Sequence, residues 1–297
     1  MNYLPWVALV VGPVLALGQV TVSVGVPETS YLVHEPVPVV VSVRNITGRT
    51  IELRGDETES WLSFMITDAA DRTVPSTGRV PEAGTVLIPP GDTVRRTFNL
   101  TPLYELRERG TYRVRAEVTT EAIHAISAPA KLTLLSGQEI WRQLVGLARP
   151  EGGEEYIEYR LLLKRGERET QLYVSVQDEQ AGVVHGMYSL GTTVGVGQPT
   201  ARVDARGNLH ILHRNGARTY GYHEIAPNAS TVAQANYSEI QSRPELVTGA
   251  DGFVSVVGGE KLVAQTDRIL TAEELNPPPP PPPPKKKSWW PFGQRDK

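Results

Sequence analysis

The amino-acid sequence predicts an all-β protein: an antiparallel sandwich followed by a β-meander, with one short helix between them. Three observations carry this. Apolar and polar residues alternate in short runs, most clearly over Gln19–Val26, where Val20, Val22, Val24 and Val26 share one face. The runs are separated by turn-forming stretches such as Asn45-Ile-Thr-Gly48, Asp68-Ala-Ala-Asp71, Pro89-Pro-Gly-Asp92 and Arg109-Gly110. The 27 glycines and 24 prolines of the 297 residues suit turns better than helices.

Taken in order, Val7–Leu17 is an apolar run closing on Ala16-Leu17-Gly18, the small-x-small pattern of a cleaved export signal. It is shorter than the roughly 20 apolar residues of a membrane span. Met1–Trp6 has no lysine or arginine, a departure from the usual signal. Residues 1–18 therefore read as a signal peptide, and the expected location is secreted, periplasmic or otherwise in the cell envelope. Residues 19–136 then form the sandwich. After the first run its strands are expected at Pro38–Arg44, Thr50–Arg54, Trp61–Thr67, Thr85–Ile88, Thr93–Leu100, Tyr112–Thr119 and Ala130–Leu135.

From Gly137 the pattern changes. Ser136-Gly-Gln-Glu139 resembles a capping box, and Ile140, Trp141, Leu144, Val145 and Leu147 follow at i, i+3, i+4 spacing, which predicts a short helix. Alternation returns over Tyr156–Lys164 and Gln171–Gln177, and residues 137–275 read as a meander. A repeat is visible within it. Ala205-Arg-Gly-Asn-Leu-His-Ile-Leu and Ala250-Asp-Gly-Phe-Val-Ser-Val-Val each follow a proline by the same distance and are offset by 45 residues, a blade-like period. About three blade lengths are present and a closed propeller needs at least four. An open meander is expected, completed by the first domain or a second chain.

Two resemblances follow from these residues. Gly110-Thr-Tyr112-Arg-Val114 resembles the tyrosine corner of Ig-like sandwiches, with Val114 where antibody domains place a cysteine. Together with Tyr31-Leu-Val-His-Glu35-Pro36, Val39–Val43 and Asn45, it makes residues 19–136 similar to the Ig-like modules of exported bacterial proteins, among them inhibitor-like and macroglobulin-like sandwiches. That resemblance implies a fold and a placement, and would permit a protease-inhibitor-like first domain. The Asp204–His213 run looks like the inner strands of sialidase-type propellers, which implies a glycan-binding or carbohydrate-active protein.

Charge and composition exclude much. A net charge of −3, with no run of basic residues spread over the body of the chain, argues against a nucleic-acid partner. Absence of cysteine removes disulfides, thiolate metal sites and thiol nucleophiles. No G-x-S-x-G elbow, H-E-x-x-H motif or phosphate loop is present, and Gly191, Gly195 and Gly197 lack the strand-turn-helix setting of a dinucleotide site. The expected protein has no cofactor and is not an enzyme. Four Asn-x-Ser/Thr sequons, at Asn45, Asn99, Asn228 and Asn236, matter only in a glycosylating pathway.

The histidines allow a geometric expectation. Asn215-Gly216 predicts a two-residue type I′ hairpin, which sets Arg214 opposite Ala217, Leu209 opposite Tyr222 and His213 opposite Arg218. In that register His210 and His223 share a face as diagonal neighbours, a candidate two-histidine metal site with no carboxylate on the face to complete it. Arg214, Arg218, Tyr220 and Tyr222 form a candidate ligand patch, for a glycan or a protein, with the two tyrosines as core residues in the alternative. Acidic residues of the strands are expected at solvent faces.

The C-terminus is of a different physical class. Pro277–Pro284 is a run of eight prolines, a polyproline rod. Lys285, Lys286 and Lys287 then adjoin Trp289, Trp290 and Phe292, the composition of an interfacial anchor for an anionic membrane or cell-wall polymer. Residues 276–297 thus read as a disordered, basic-aromatic tail. They carry +4, which leaves −7 on the rest of the chain. The function this implies is an exported, non-catalytic structural or binding module of the envelope, weakly attached through its tail.

Overall fold

The computed structural model describes residues 20–56, 58–148, 152–166, 169–195 and 198–262. Residues 1–18, expected to be a signal peptide, and residues 276–297, expected to be a tail, lie outside the described residues. Ten strands build the first part: β1 (Val20–Gly25), β2 (Ser30–Leu32), β3 (Pro38–Asn45), β4 (Ile51–Leu53), β5 (Leu62–Thr67), β6 (Val86–Ile88), β7 (Thr93–Asn99), β8 (Gly110–Thr119), β9 (His124–Ile126) and β10 (Ala130–Leu135). One sheet runs β1-β3-β7. The facing sheet runs β2-β10-β8-β5 with β9 on β8, and β4 pairs β6.

The alternation read in the sequence is what makes this a sandwich. In β3, Val39, Val41 and Val43 point inward, and in β8, Tyr112, Val114, Ala116 and Val118 meet them, all within one apolar core. Tyr112 donates its phenolic O–H to the Glu108 carbonyl at 2.7 Å, closing the chain corner before β8, and Val114 is fully buried two residues on. Asn45 is also fully buried. Its amide donates to the Arg49 and Ile88 carbonyls, so in the folded chain this sequon serves the core.

The second part is three sheets. β11 (Gln138–Ala148), β12 (Glu154–Arg165), β13 (Thr170–Asp178) and β14 (Val183–Thr193) form a four-stranded meander. β15 (Thr200–Val203), β16 (Leu209–Arg214), β17 (Thr219–Ile225) and β18 (Thr231–Ser238) form a second, with β21 (Glu260–Leu262) at its edge. β19 (Glu245–Thr248) and β20 (Val254–Val257) make a third of two strands. The described residues through Lys261 belong to one compact unit.

Three apolar seams hold these layers. Tyr159, Leu161, Leu172 and Val174 of the first sheet pack on Leu209, Ile211 and Ile225 of the second. The opposite face of the second sheet meets the third through Leu212, Tyr220, Tyr222, Leu246 and Val254. Leu162, Tyr173 and Met187, on the other face of the first sheet, pack against Leu32 of the sandwich. Because the first two sheets are covered on both faces, β13 and β16 read as nearly continuous buried runs.

The segment expected to be a helix is a strand. β11 pairs with β12 along its whole length, and a bulge falls between Glu139 and Trp141. The extra residue explains the misleading spacing. With Ile140 as the bulge, Ile140, Trp141, Val145 and Leu147 all reach the same core, whereas a helix needs Leu144 on that face and the strand leaves it exposed. No helix occurs among the described residues.

The 45-residue repeat has a structural counterpart. Between β15 and β16, Asp204 N–H donates to the Asn208 carbonyl and Gly207 N–H to the Asp204 carbonyl. Between β19 and β20, Gly249 N–H donates to Phe253 and Gly252 N–H to Gly249, the same two bonds 45 residues later. Gly207 and Gly252 hold φ of 84° and 79°, a region that glycine enters without strain. The two turns also touch, since Ala205 N–H donates to the Gly252 carbonyl at 3.0 Å.

Candidate functional site

The face of the second sheet that looks toward the third carries most of the polar chemistry, and the register of β16 and β17 decides what appears there. Arg214 pairs with Tyr220, Leu212 with Tyr222, His210 with Glu224 and Leu209 with Ile225. This register is three residues away from that of a two-residue turn. The loop is Asn215–Arg218, closed by Asn215 and Gly216 N–H groups donating to the Thr219 carbonyl. Neither Asn215 nor Gly216 has the positive φ that a type I′ turn requires. The Arg214 guanidinium occupies the loop, donating to the Gly216 and Ala217 carbonyls.

An odd shift in register exchanges faces, so the expected His210–His223 pair is split. His223 lies on the opposite face, stacked on His213 with ring centroids 5.5 Å apart and planes 22° apart. Both rings are buried, and neither nitrogen of His213 has a hydrogen-bond partner. Burial, then the neighbouring His223, pushes the His213 imidazole down to about 4. Burial also lowers His223. A side chain at position 221 would place its Cβ 2.8 Å from His213 Nε2, so Gly221 makes the room for this pair.

His210 instead gains two carboxylates, Glu224 through this register and Asp204 through the turn after β15. Asp204 and Glu224 converge on it, with ligand atoms of the three residues all within 4.8 Å of one another. The expectation that strand carboxylates face solvent fails here, because Asp204 at the end of β15 is folded into its own turn. Its Oδ1 accepts the Arg206 and Asn208 N–H groups.

On the same face, Thr200, Arg202, Arg214, Tyr220, Arg243 and Glu245 line a cleft of about 250 Å³ between the second and third sheets. Arg214 and Arg243 lie 5.9 and 5.8 Å from the Tyr220 ring centroid, cation–π distances. The Tyr220 hydroxyl donates to Glu239 at 3.0 Å, which fixes the ring. Burial and that carboxylate raise its pKa, keeping it a neutral donor.

Of the four patch residues expected from sequence, Arg214 and Tyr220 are brought together here. Arg218 is exposed in the hairpin loop and does not line the cleft, and Tyr222 is buried with its hydroxyl against His210. Arg202 and Arg243 were not anticipated, and both come from chain segments distant from the hairpin that drew attention. Lys285, Lys286, Lys287, Trp289, Trp290 and Phe292 lie outside the described residues. A larger open hollow in the sandwich, about 1250 Å³ around Asp56, Arg79, Pro81 and Leu103, sets a single arginine against Asp56 and Glu82 and presents no convergent charge.

No family model matches the chain, and no curated protein matches it. Among solved structures, the chain is similar to the sporulation control protein Spo0M of Bacillus subtilis over 58% of this chain and 91% of that one, at 12% identity and a TM-score of 0.28. A likeness that slight supports no inference about function.

Proposed function

We propose that this chain is an exported, non-catalytic binding module of the cell envelope that takes an anionic glycan in the cleft between its second and third stacked sheets. The observation that carries this reading is the placement of Arg214 and Arg243 against Tyr220 in one cleft that Arg202 also lines. Guanidinium groups bind carboxylate, sulfate or phosphate through paired N–H donors. The Tyr220 ring, buried in the seam beneath them, braces the Arg214 and Arg243 guanidinium groups through cation–π contact. At about 250 Å³ the cleft suits one acidic sugar unit and not a long polymer segment. Export rests on the N-terminal segment, and surface attachment on the basic-aromatic tail.

The test is binding of the purified protein to acidic and neutral polysaccharides at increasing salt, using full-length chain and chain truncated before Pro277. Acidic polysaccharide should bind both forms, and Arg243→Gln or Arg214→Gln should weaken binding about tenfold, the effect of losing about 1.4 kcal/mol. Binding that disappears with the tail and ignores both arginine changes would leave only the tail as a polyanion contact and end the cleft reading.

A further inference from the structure

We propose that Asp204, His210 and Glu224 hold a divalent transition-metal ion of the zinc or manganese class, on the same sheet face as the arginine cleft. The three come from the turn after β15, from β16 and from β17, and their ligand atoms lie within 4.8 Å of one another. His210 is 3% exposed, and its Nε2 makes no hydrogen bond although it is turned toward Asp204 Oδ2 at 3.3 Å. A buried imidazole nitrogen aimed at a carboxylate without bonding to it is an orphan donor or a ligand.

The surrounding bonds orient the set as a second shell does around a metal. His210 Nδ1 is 2.8 Å from the Tyr222 hydroxyl. With Nδ1 carrying the proton, Nε2 presents its lone pair to the cluster. Asp204 Oδ1 is occupied by two backbone N–H groups, which leaves Oδ2 facing His210. Glu224 Oε1 accepts the Asn208 amide at 2.9 Å, and its Oε2 lies 3.5 Å from the Tyr222 hydroxyl.

Charge points the same way. Among the described residues neither carboxylate forms an ion pair with lysine or arginine, and Arg202, cross-strand from His210, lines the cleft without pairing either. Two carboxylates brought together on one buried imidazole form a donor set that a divalent ion would both bind and neutralise. The hairpin does not need this set. In its repeat, Gly249 and Ser255 stand at the positions of Asp204 and His210, and the same backbone turn forms. One imidazole with two carboxylates suits zinc or manganese, whereas calcium seeks six to eight oxygens.

The experiment is titration of the full-length, chelator-treated protein with zinc, manganese or calcium chloride by calorimetry, together with thermal melting. Zinc or manganese should bind once per chain and raise the melting temperature. Glu224→Gln, which can keep the Asn208 bond at a half-exposed position, should weaken binding at least tenfold with an unchanged far-ultraviolet spectrum, and His210→Gln should do likewise. His185→Ala, which removes an exposed histidine near Glu155 and Asp178, should leave the site intact. The proposal is overturned by no saturable uptake of zinc or manganese, by uptake that Glu224→Gln leaves unchanged, or by uptake lost in His185→Ala.

Discussion

His213 shows how much one position can set. It is 1% exposed, and its imidazole is held down at about 4 by burial and by His223. The unfolded chain therefore takes up a proton near pH 6.5 that the folded chain refuses until about pH 4. Stability is complete above that window and falls as pH falls through it, by on the order of 2 kcal/mol between pH 6.5 and 5. Urea unfolding at those two values measures the loss, and His213→Asn should remove most of it. Equal slopes in the two proteins would show that other groups govern the acid limb. Nothing in the linear sequence marked His213 out, because its environment is made by a register that only the folded loop specifies.

At the scale of elements, the strands of the sandwich were legible because each buries one face, and alternation survives where the other face meets water. Val39 to Val43 and Tyr112 to Val118 are such runs. β11 was illegible because a single bulged residue, Ile140, turns a period of two into something close to a helical spacing. The β16–β17 hairpin was half legible. Its turn residues announced a reversal, but the Arg214 side chain and the Thr219 carbonyl organise four loop residues where two were expected, and that exchanges every partner. The candidate site inherits this limit: Arg214 and Tyr220 could be suspected, whereas Glu224 joined His210 only through the longer loop, and Asp204 only through the turn after β15. The repeated turns were visible as text because glycine is needed in both. Gly207→Ala puts a Cβ at positive φ and within 2.5 Å of Leu147 Cδ2, while Gly252→Ala meets Ala205 Cβ at 3.0 Å. The first should cost roughly 2 to 3 kcal/mol and the second less, by chemical denaturation; the reverse order would mean the Leu147 contact yields easily.

At the scale of the whole molecule, the sandwich and the stacked sheets are joined by a buried polar contact inside an apolar rim. Lys164 Nζ is 2.8 Å from Glu28 Oε2 and 3.7 Å from Glu35 Oε2, and the Tyr173 hydroxyl donates to Glu35 Oε1 at 2.8 Å. Burial, then the Glu35 carboxylate, drives the Tyr173 phenol far up, so it remains protonated and donating. Glu35 in turn accepts the Leu32 N–H. Lys164→Met leaves that carboxylate buried without its cation and should cost about 3 kcal/mol. The two parts should unfold in one transition in the parent protein, monitored by tryptophan fluorescence and circular dichroism together. Two separated transitions in the parent would show that the contact does not couple them.

The same joint governs how the protein can be dissected. Gly137 is where the sequence invites a cut, yet a fragment ending there would present Leu32 and Glu35 to solvent, and its complement would present Leu162, Tyr173, Met187 and Lys164. Each half would then carry a greasy patch with a stranded charge at its centre, the surface that makes isolated fragments stick to one another. Soluble recombinant halves are therefore to be sought by first replacing these contacts with polar residues, and the two untouched halves, produced together, should find each other again.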